Sequence, residues 1–133
     1  MKKNIMKVAI GLIVLLSVSA IPVFAENKTW TGVVADNLCI QMDFAADGAD
    51  MANNPEQHTT YCALMKPCID SGYSVMVKNG SGGYDSYPLD TKGNKLALKY
   101  FENTNKKDNH ILQVSGTILS NDTIKVKRIE EVM

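Results

Sequence analysis

The strongest constraint on the fold is one stretch that holds all three cysteines of this 133-residue chain. Cys39, Cys62 and Cys68 share it with His58, one of only two histidines. An odd number of cysteines leaves one thiol over after pairing, unless all three are held by something else, such as a metal ion. Any specific chemistry of the chain is therefore expected to start from this group.

The first residues have the pattern of an export signal. Three lysines precede an apolar run over residues 8–21, and residues 23–25 end in the small-residue motif of a signal peptidase site. We predict a signal peptide over 1–25 and a single domain over 26–133, secreted, periplasmic or at the cell surface. The apolar run is shorter than the roughly 20 residues of a membrane span. The mature protein is expected not to span a membrane.

The charge balance argues against a nucleic-acid partner. The chain has 14 basic and 14 acidic residues, and loss of the three leader lysines leaves 11 basic against 14 acidic. Nucleic-acid binding usually requires a clustered basic surface. The expected partner is a small molecule, a glycan or a protein outside the cytoplasm.

Alternating apolar residues and turn motifs predict a mainly β fold. Five segments rich in β-branched and aromatic residues are predicted strands, at 29–35, 73–78, 84–89, 111–119 and 123–129. A short helix over 92–102 is predicted between strands three and four. This order is that of a small five-stranded, OB-like barrel, with a short β-sandwich as the alternative.

The insertion between strands one and two, residues 38–72, does not belong to the simplest barrel. Loops of this length without structure of their own are uncommon and usually functional or partly helical. Asn54 as a cap and Pro55 at the first helical position predict a helix that runs to about Met65. Pro67 disfavours helical geometry at the residue before it, so the chain is expected to leave the helix there.

That helix would place His58 and Cys62 on one face, because residues four apart are neighbours. If Cys39 and Cys68 fold back toward them, the group is a complete tetrahedral set for zinc. Haem is a further candidate cofactor. A methionine ligand would suit copper, although methionines are more common as core filler. The candidates are Met42, Met51 and Met65.

A disulfide is the more common use of cysteine in exported proteins. A disulfide between Cys39 and either Cys62 or Cys68 would staple the insertion to the barrel and contribute about 2–4 kcal/mol. The favoured function is a secreted, non-enzymatic binding module with structural cysteines and an unknown ligand. The alternative is a metal- or haem-binding protein in metal handling or redox chemistry. The motifs of common enzyme classes, such as Gly-x-Ser-x-Gly and His-Glu-x-x-His, do not occur in the sequence.

Aromatic residues are candidates for a binding face across the barrel. Alternating aromatic residues are, however, first of all core and cross-strand packing. The candidates are Trp30, Tyr73, Tyr84 and Tyr87. Asp36 is expected to close the turn after strand one through its side chain.

Three parts of the chain carry a resemblance. They are the opening segment 30–39 (WTGVVADNLC), the set His58, Cys62 and Cys68, and the closing segments 114–118 (VSGTI) and 123–126 (TIKV). The chain resembles small exported bacterial domains of uncharacterised function, in which an aspartate stands three residues before a cysteine and a histidine and two cysteines follow. The resemblance implies a barrel-like β fold with no established activity. This chain departs from that pattern by a longer gap between its last two cysteines.

Overall fold

The structure is a computed structural model that describes residues 26–133. The predicted signal peptide, 1–25, lies outside the described residues. The strands are β1 (Lys28–Asp36), β2 (Tyr73–Lys78), β3 (Tyr84–Pro88), β4 (Ile111–Ile118) and β5 (Ile124–Glu131). The helices are α1 (Asn37–Met42), a 3-10 turn (Pro55–Gln57), α2 (Thr60–Ala63), α3 (Lys66–Ser71) and α4 (Thr91–Asn103). Within this part of the chain, no helix is both long and apolar enough to cross a membrane.

The five strands form one antiparallel sheet in the order β3-β2-β1-β4-β5. The central strand β1 pairs with β4 over Lys28–Val33 and with β2 over Val33–Asp36. The two edges approach at one point, where Leu89 and Ile124 form an isolated parallel bridge. The mainly β fold with five strands and a helix between strands three and four is confirmed. The sheet itself is not closed.

A glycine is required where β1 changes partner. A Cβ atom at Gly32 would collide with the backbone carbonyl oxygen of Met76 in β2. Because a backbone atom cannot move aside as a flexible side chain can, any larger residue would push the two strands apart.

Each face of the sheet is covered by its own apolar layer, since successive side chains of a strand point to opposite faces. Val34 belongs to the layer that packs against α4, together with Phe101 of that helix. Val33 and Ala35 belong to the other layer, which includes all three cysteines. The insertion is therefore the second layer of the fold, lying over the face of the sheet that α4 leaves uncovered.

The predicted helix from Pro55 to Met65 is wrong. The 3-10 turn ends at Gln57, and His58 is extended, with φ −61° and ψ 130°. Thr59 then caps the separate helix α2, because its Oγ1 accepts a hydrogen bond from the backbone N–H of Cys62 (3.2 Å). A strong cap in the middle of the segment divides it into two short elements.

The expected helix end at Pro67 is also wrong. Lys66 and Pro67 are the first two residues of α3. The backbone N–H groups of the first turn have no partner within a helix, so proline loses nothing there. Its fixed φ is already helical, and the proline begins a helix instead of ending one.

Candidate metal centre

The three cysteines converge in the layer formed by the insertion, each on a different helix. Cys39 lies on α1, Cys62 on α2 and Cys68 on α3, and none is more than 3% exposed. Each is the third residue of its helix. The backbone N–H of Asn37, the first residue of α1, donates to the carbonyl oxygen of Gly72, which follows α3 (2.9 Å). Backbone hydrogen bonds thus fix the relative position of the helices that carry Cys39 and Cys68.

The sulfur atoms are close enough to share one ion. The Sγ atoms of Cys39 and Cys62 are 3.7 Å apart, and all three cysteines are free thiols. A disulfide would need about 2.05 Å. Two sulfurs on a tetrahedral zinc, each about 2.3 Å from the metal, are about 3.8 Å apart. The observed separation therefore matches two ligands of one ion.

Asp36 supplies a fourth donor that the sequence analysis did not include among the metal ligands. One of its carboxylate oxygens and the three Sγ atoms lie within 4.8 Å of one another, and all four residues are buried. Its Oδ1 accepts a hydrogen bond from the backbone N–H of Cys39 (2.9 Å), which caps α1. This agrees with the expectation that Asp36 closes the turn. The spacing Asp-x-x-Cys is that of an N-cap and the third residue of a helix, and it could have indicated the shared site.

The second oxygen of Asp36 has no directed hydrogen bond. Oδ2 lies 2.8 Å from Nε2 of His58, an ion-pair contact, and Nδ1 of the His58 ring has no hydrogen-bond partner. Burial acts to raise the pKa of Asp36, yet contact with His58 and the backbone of Cys39 outweighs it and lowers the pKa. A buried polar group without a partner costs about 1–3 kcal/mol. A cation held by the cysteines would therefore also lie beside a buried carboxylate whose Oδ2 has His58 as its polar contact.

Cys39 and Cys68 are protonated in the absence of a cation. Burial, together with the negative charge of Asp36, raises the pKa of Cys39 well above its ordinary value and that of Cys68 to about 12. A metal ion that binds these sulfurs must displace their protons, since the thiolate is the ligand.

His58 also faces a second carboxylate. Ligand atoms of Asp47, His58 and Cys62 lie within 4.8 Å of one another. Asp47 is exposed, and its Oδ2 already accepts hydrogen bonds from the backbone N–H and the hydroxyl of Thr59, each at 2.7 Å. Asp47 therefore acts mainly on the loop before α2, while Asp36 is the buried carboxylate beside the sulfur atoms.

The other histidine shows how a purely structural buried imidazole is held in this fold. His110 is 1% exposed, as is His58. Its Nε2 lies 2.9 Å from Oγ1 of Thr60 and its Nδ1 lies 2.9 Å from the hydroxyl of Tyr100. Burial lowers the pKa of His110 to about 4, so the ring is neutral at pH 7. His58 has the same burial, but its contact is the carboxylate of Asp36, which connects it to the candidate site.

The aromatic candidates for a binding face do not lie together. Tyr73 is buried, and its hydroxyl donates to the carbonyl oxygen of Ala63 (2.8 Å). Trp30 and Tyr87 pack against the α4 layer with ring centroids 6.1 Å apart. Tyr84 packs against the cysteine-containing layer. The structure therefore divides these four side chains between the two faces of the sheet.

Comparison with known proteins gives no match to this chain among family models, curated proteins or solved structures.

Proposed function

We propose that this protein is a binding module for a thiophilic metal ion. Cys39, Cys62 and Cys68 are the ligands, and Asp36 is the fourth donor when the ion is zinc. The observation that carries the proposal is the convergence of these four buried donors, with one carboxylate oxygen left without a hydrogen bond. Thiolates select zinc and Cu⁺ among the common metals, and a carboxylate oxygen adds a donor that zinc accepts.

His58 acts as a positioning residue in this proposal. Its Nε2 contacts the same oxygen of Asp36 that would face the ion. Histidine and carboxylate pairs of this kind orient metal ligands and tune their basicity. We propose no enzymatic activity, because four protein donors close a tetrahedral site, whereas catalytic zinc sites keep one position open.

We also propose an OB-like barrel outside the cytoplasm as the setting of the site. The strand order, helix α4 between β3 and β4, and the bridge between Leu89 and Ile124 support the barrel. The signal-like residues 1–25 support export. Sequencing the N-terminus of protein recovered outside the cytoplasm tests the second point, with Glu26 as the expected first residue.

A disulfide staple is the second candidate role of the cysteines. Cys39 and Cys62 are the sulfur pair in contact, so oxidation would join them and leave Cys68 free. A small molecule or glycan would then bind elsewhere. A groove beside Tyr84 is a candidate place for it, with a volume of about 490 Å³ and polar residues such as Asn54 and Lys78 in its lining.

Mass spectrometry of protein purified from its export route separates the two roles. Metal binding predicts an added ion in the native spectrum and a denatured mass equal to that of the chain with three thiols. A denatured mass two hydrogens lower, with no ion in the native spectrum, would reject metal binding and support the staple. Protein made in a reducing cytoplasm is unsuitable, because its thiols can recruit zinc adventitiously.

A further inference from the structure

Methionines are concentrated in the apolar layer that contains the cysteines. Four of the five methionines in the described chain belong to this layer or border it: Met51 and Met76 are buried in it, Met65 packs against it, and Met42 lines the cavity that Cys39 and Cys68 also line. The fifth, Met133, is the exposed C-terminal residue. Among the described residues, the layer on the α4 side contains no methionine. Methionine used only as core filler would be expected in both layers.

A cavity leads from solvent to two of the sulfur ligands. It has a volume of about 320 Å³, and Cys39 and Cys68 contribute to its lining. Met42, Met65 and Phe44 also line it. Met42 is 63% exposed and Phe44 is 59% exposed, although both are large and apolar. Every side chain along the cavity is apolar or contains sulfur, so it offers no carboxylate or imidazole to a hydrated divalent cation.

We propose that this cavity is the entrance for Cu⁺, and that the thioethers of Met42 and Met65 pass the ion to Cys39 and Cys68. The inference rests on the proposed function and specifies its ion. Thiolates bind both zinc and Cu⁺, but a thioether is a ligand that suits Cu⁺ and adds little for zinc. The copper remains Cu⁺ throughout: each thiol that binds it forms a Cu–S bond and releases its proton to solvent.

The test measures the route of entry, because thiolate sites also favour copper at equilibrium when no such route exists. Reduced apoprotein is mixed with the Cu⁺ complex of bicinchoninate under anaerobic conditions, and the loss of the complex's colour gives the rate. The Met42→Leu, Met65→Leu double variant should take up Cu⁺ about tenfold more slowly or worse. Its rate of Zn²⁺ uptake should remain that of the wild-type chain. Met133→Leu, the matched control outside the centre, should leave both rates unchanged.

The results separate this inference from the function on which it rests. If the double variant takes up Cu⁺ as fast as the wild-type chain, or if its rates of Zn²⁺ and Cu⁺ uptake fall equally, the proposed Cu⁺ entrance is wrong. Metal binding itself would remain supported. Failure of the wild-type apoprotein to bind either ion would overturn both proposals. Met42→Leu alone guards against misfolding, since Met42 is mostly exposed and the leucine has a similar volume. This single variant should already slow Cu⁺ uptake, and an unchanged rate would count against the entrance.

Discussion

Asp36 combines a structural and a chemical role in one side chain. Its Oδ1 caps α1, its Oδ2 contacts His58, and one of its two oxygens lies among the sulfur atoms of the cluster. Asparagine at this position keeps the cap oxygen and removes the charge. Asp36→Asn should therefore weaken Zn²⁺ binding at least about tenfold, as measured by competition with a chelator.

A matched control for this substitution exists in the same chain. Asp90 caps α4 in the same way, with its Oδ1 accepting from the backbone N–H of Gly93 (2.9 Å), and it takes no part in the cluster. Asp90→Asn should leave Zn²⁺ affinity unchanged. Equal affinities for the two variants would remove Asp36 from the ligand set.

The two buried histidines should respond differently to the same change. His58→Gln should lower metal affinity about 10- to 100-fold, because the residue that orients Asp36 is lost. His110→Gln should leave metal affinity unchanged, because Thr60 and Tyr100 hold that ring outside the cluster. Isothermal titration of both variants with Zn²⁺ measures the contrast. A loss of affinity confined to His110→Gln would contradict the assignment of His58.

At the scale of secondary structure, the short helices α1, α2 and α3 position the three cysteine side chains. Helix α2 has four residues and depends on Thr59, whose hydroxyl accepts from the N–H of Cys62. Thr59→Ala should cost about 1 kcal/mol of unfolding free energy in the apoprotein, measured by urea denaturation. It should also weaken metal binding, since Cys62 would be held less firmly. Thr59→Ser keeps the hydroxyl and should restore both properties, so a serine variant as impaired as the alanine variant would contradict the capping role.

The sequence was sufficient for the sheet and for α4, but not for the insertion. In the strands and in α4, apolar residues recur with a regular period, and this period indicates the type of element from the local sequence alone. The insertion contains helices of four and six residues, set by individual caps such as Asp36 and Thr59. A pattern that starts at Asn54 and Pro55 cannot show that a second cap will interrupt it.

The sequence was sufficient to predict the three cysteines of the candidate site, but not the carboxylate of Asp36. The convergence of the three cysteines follows from the requirement that the insertion return to the sheet. The contact between Asp36 and His58 joins residues 22 positions apart and depends on how the insertion packs. His58 and Cys62 do lie close together, but through an extended residue and a new helix instead of one shared helix face.

At the scale of the whole molecule, metal binding should stabilise the fold, because the ion would join the end of β1, through Asp36, to three helices of the layer that covers one face of the sheet. An ion that binds only the folded chain adds about 2.7 kcal/mol at 100 times its Kd. For a domain of this size, that corresponds to a rise in Tm of about 10 °C or more. Calorimetry with and without Zn²⁺ tests this. Cys62→Ser should lose most of the shift, and a full shift in that variant would place the ion elsewhere.

His110 should make the apoprotein acid-sensitive, since it is buried between α2 and α4 and its pKa is lowered to about 4 by burial. The unfolded chain, with an ordinary histidine pKa of about 6.5, binds this proton more readily, so stability rises with pH between these values. The contribution is present above about pH 6.5 and is lost as the pH falls toward 4. Urea denaturation should show a loss of about 2 kcal/mol between pH 7 and pH 5 from this residue.

The charges of His58, Lys106 and Asp108 also act on the His110 ring. The carboxyl groups around the cluster, Asp36 and Asp47, have lowered pKa values, so they change the stability only below about pH 4. The difference between the wild-type chain and His110→Gln therefore isolates His110. The variant cannot take up the proton, so its stability should change less between pH 7 and pH 5, whatever its absolute stability. Parallel pH profiles of the two proteins would mean that His110 has the same pKa in the folded and the unfolded chain. The packing between α2 and α4 would then not depend on the protonation of this ring.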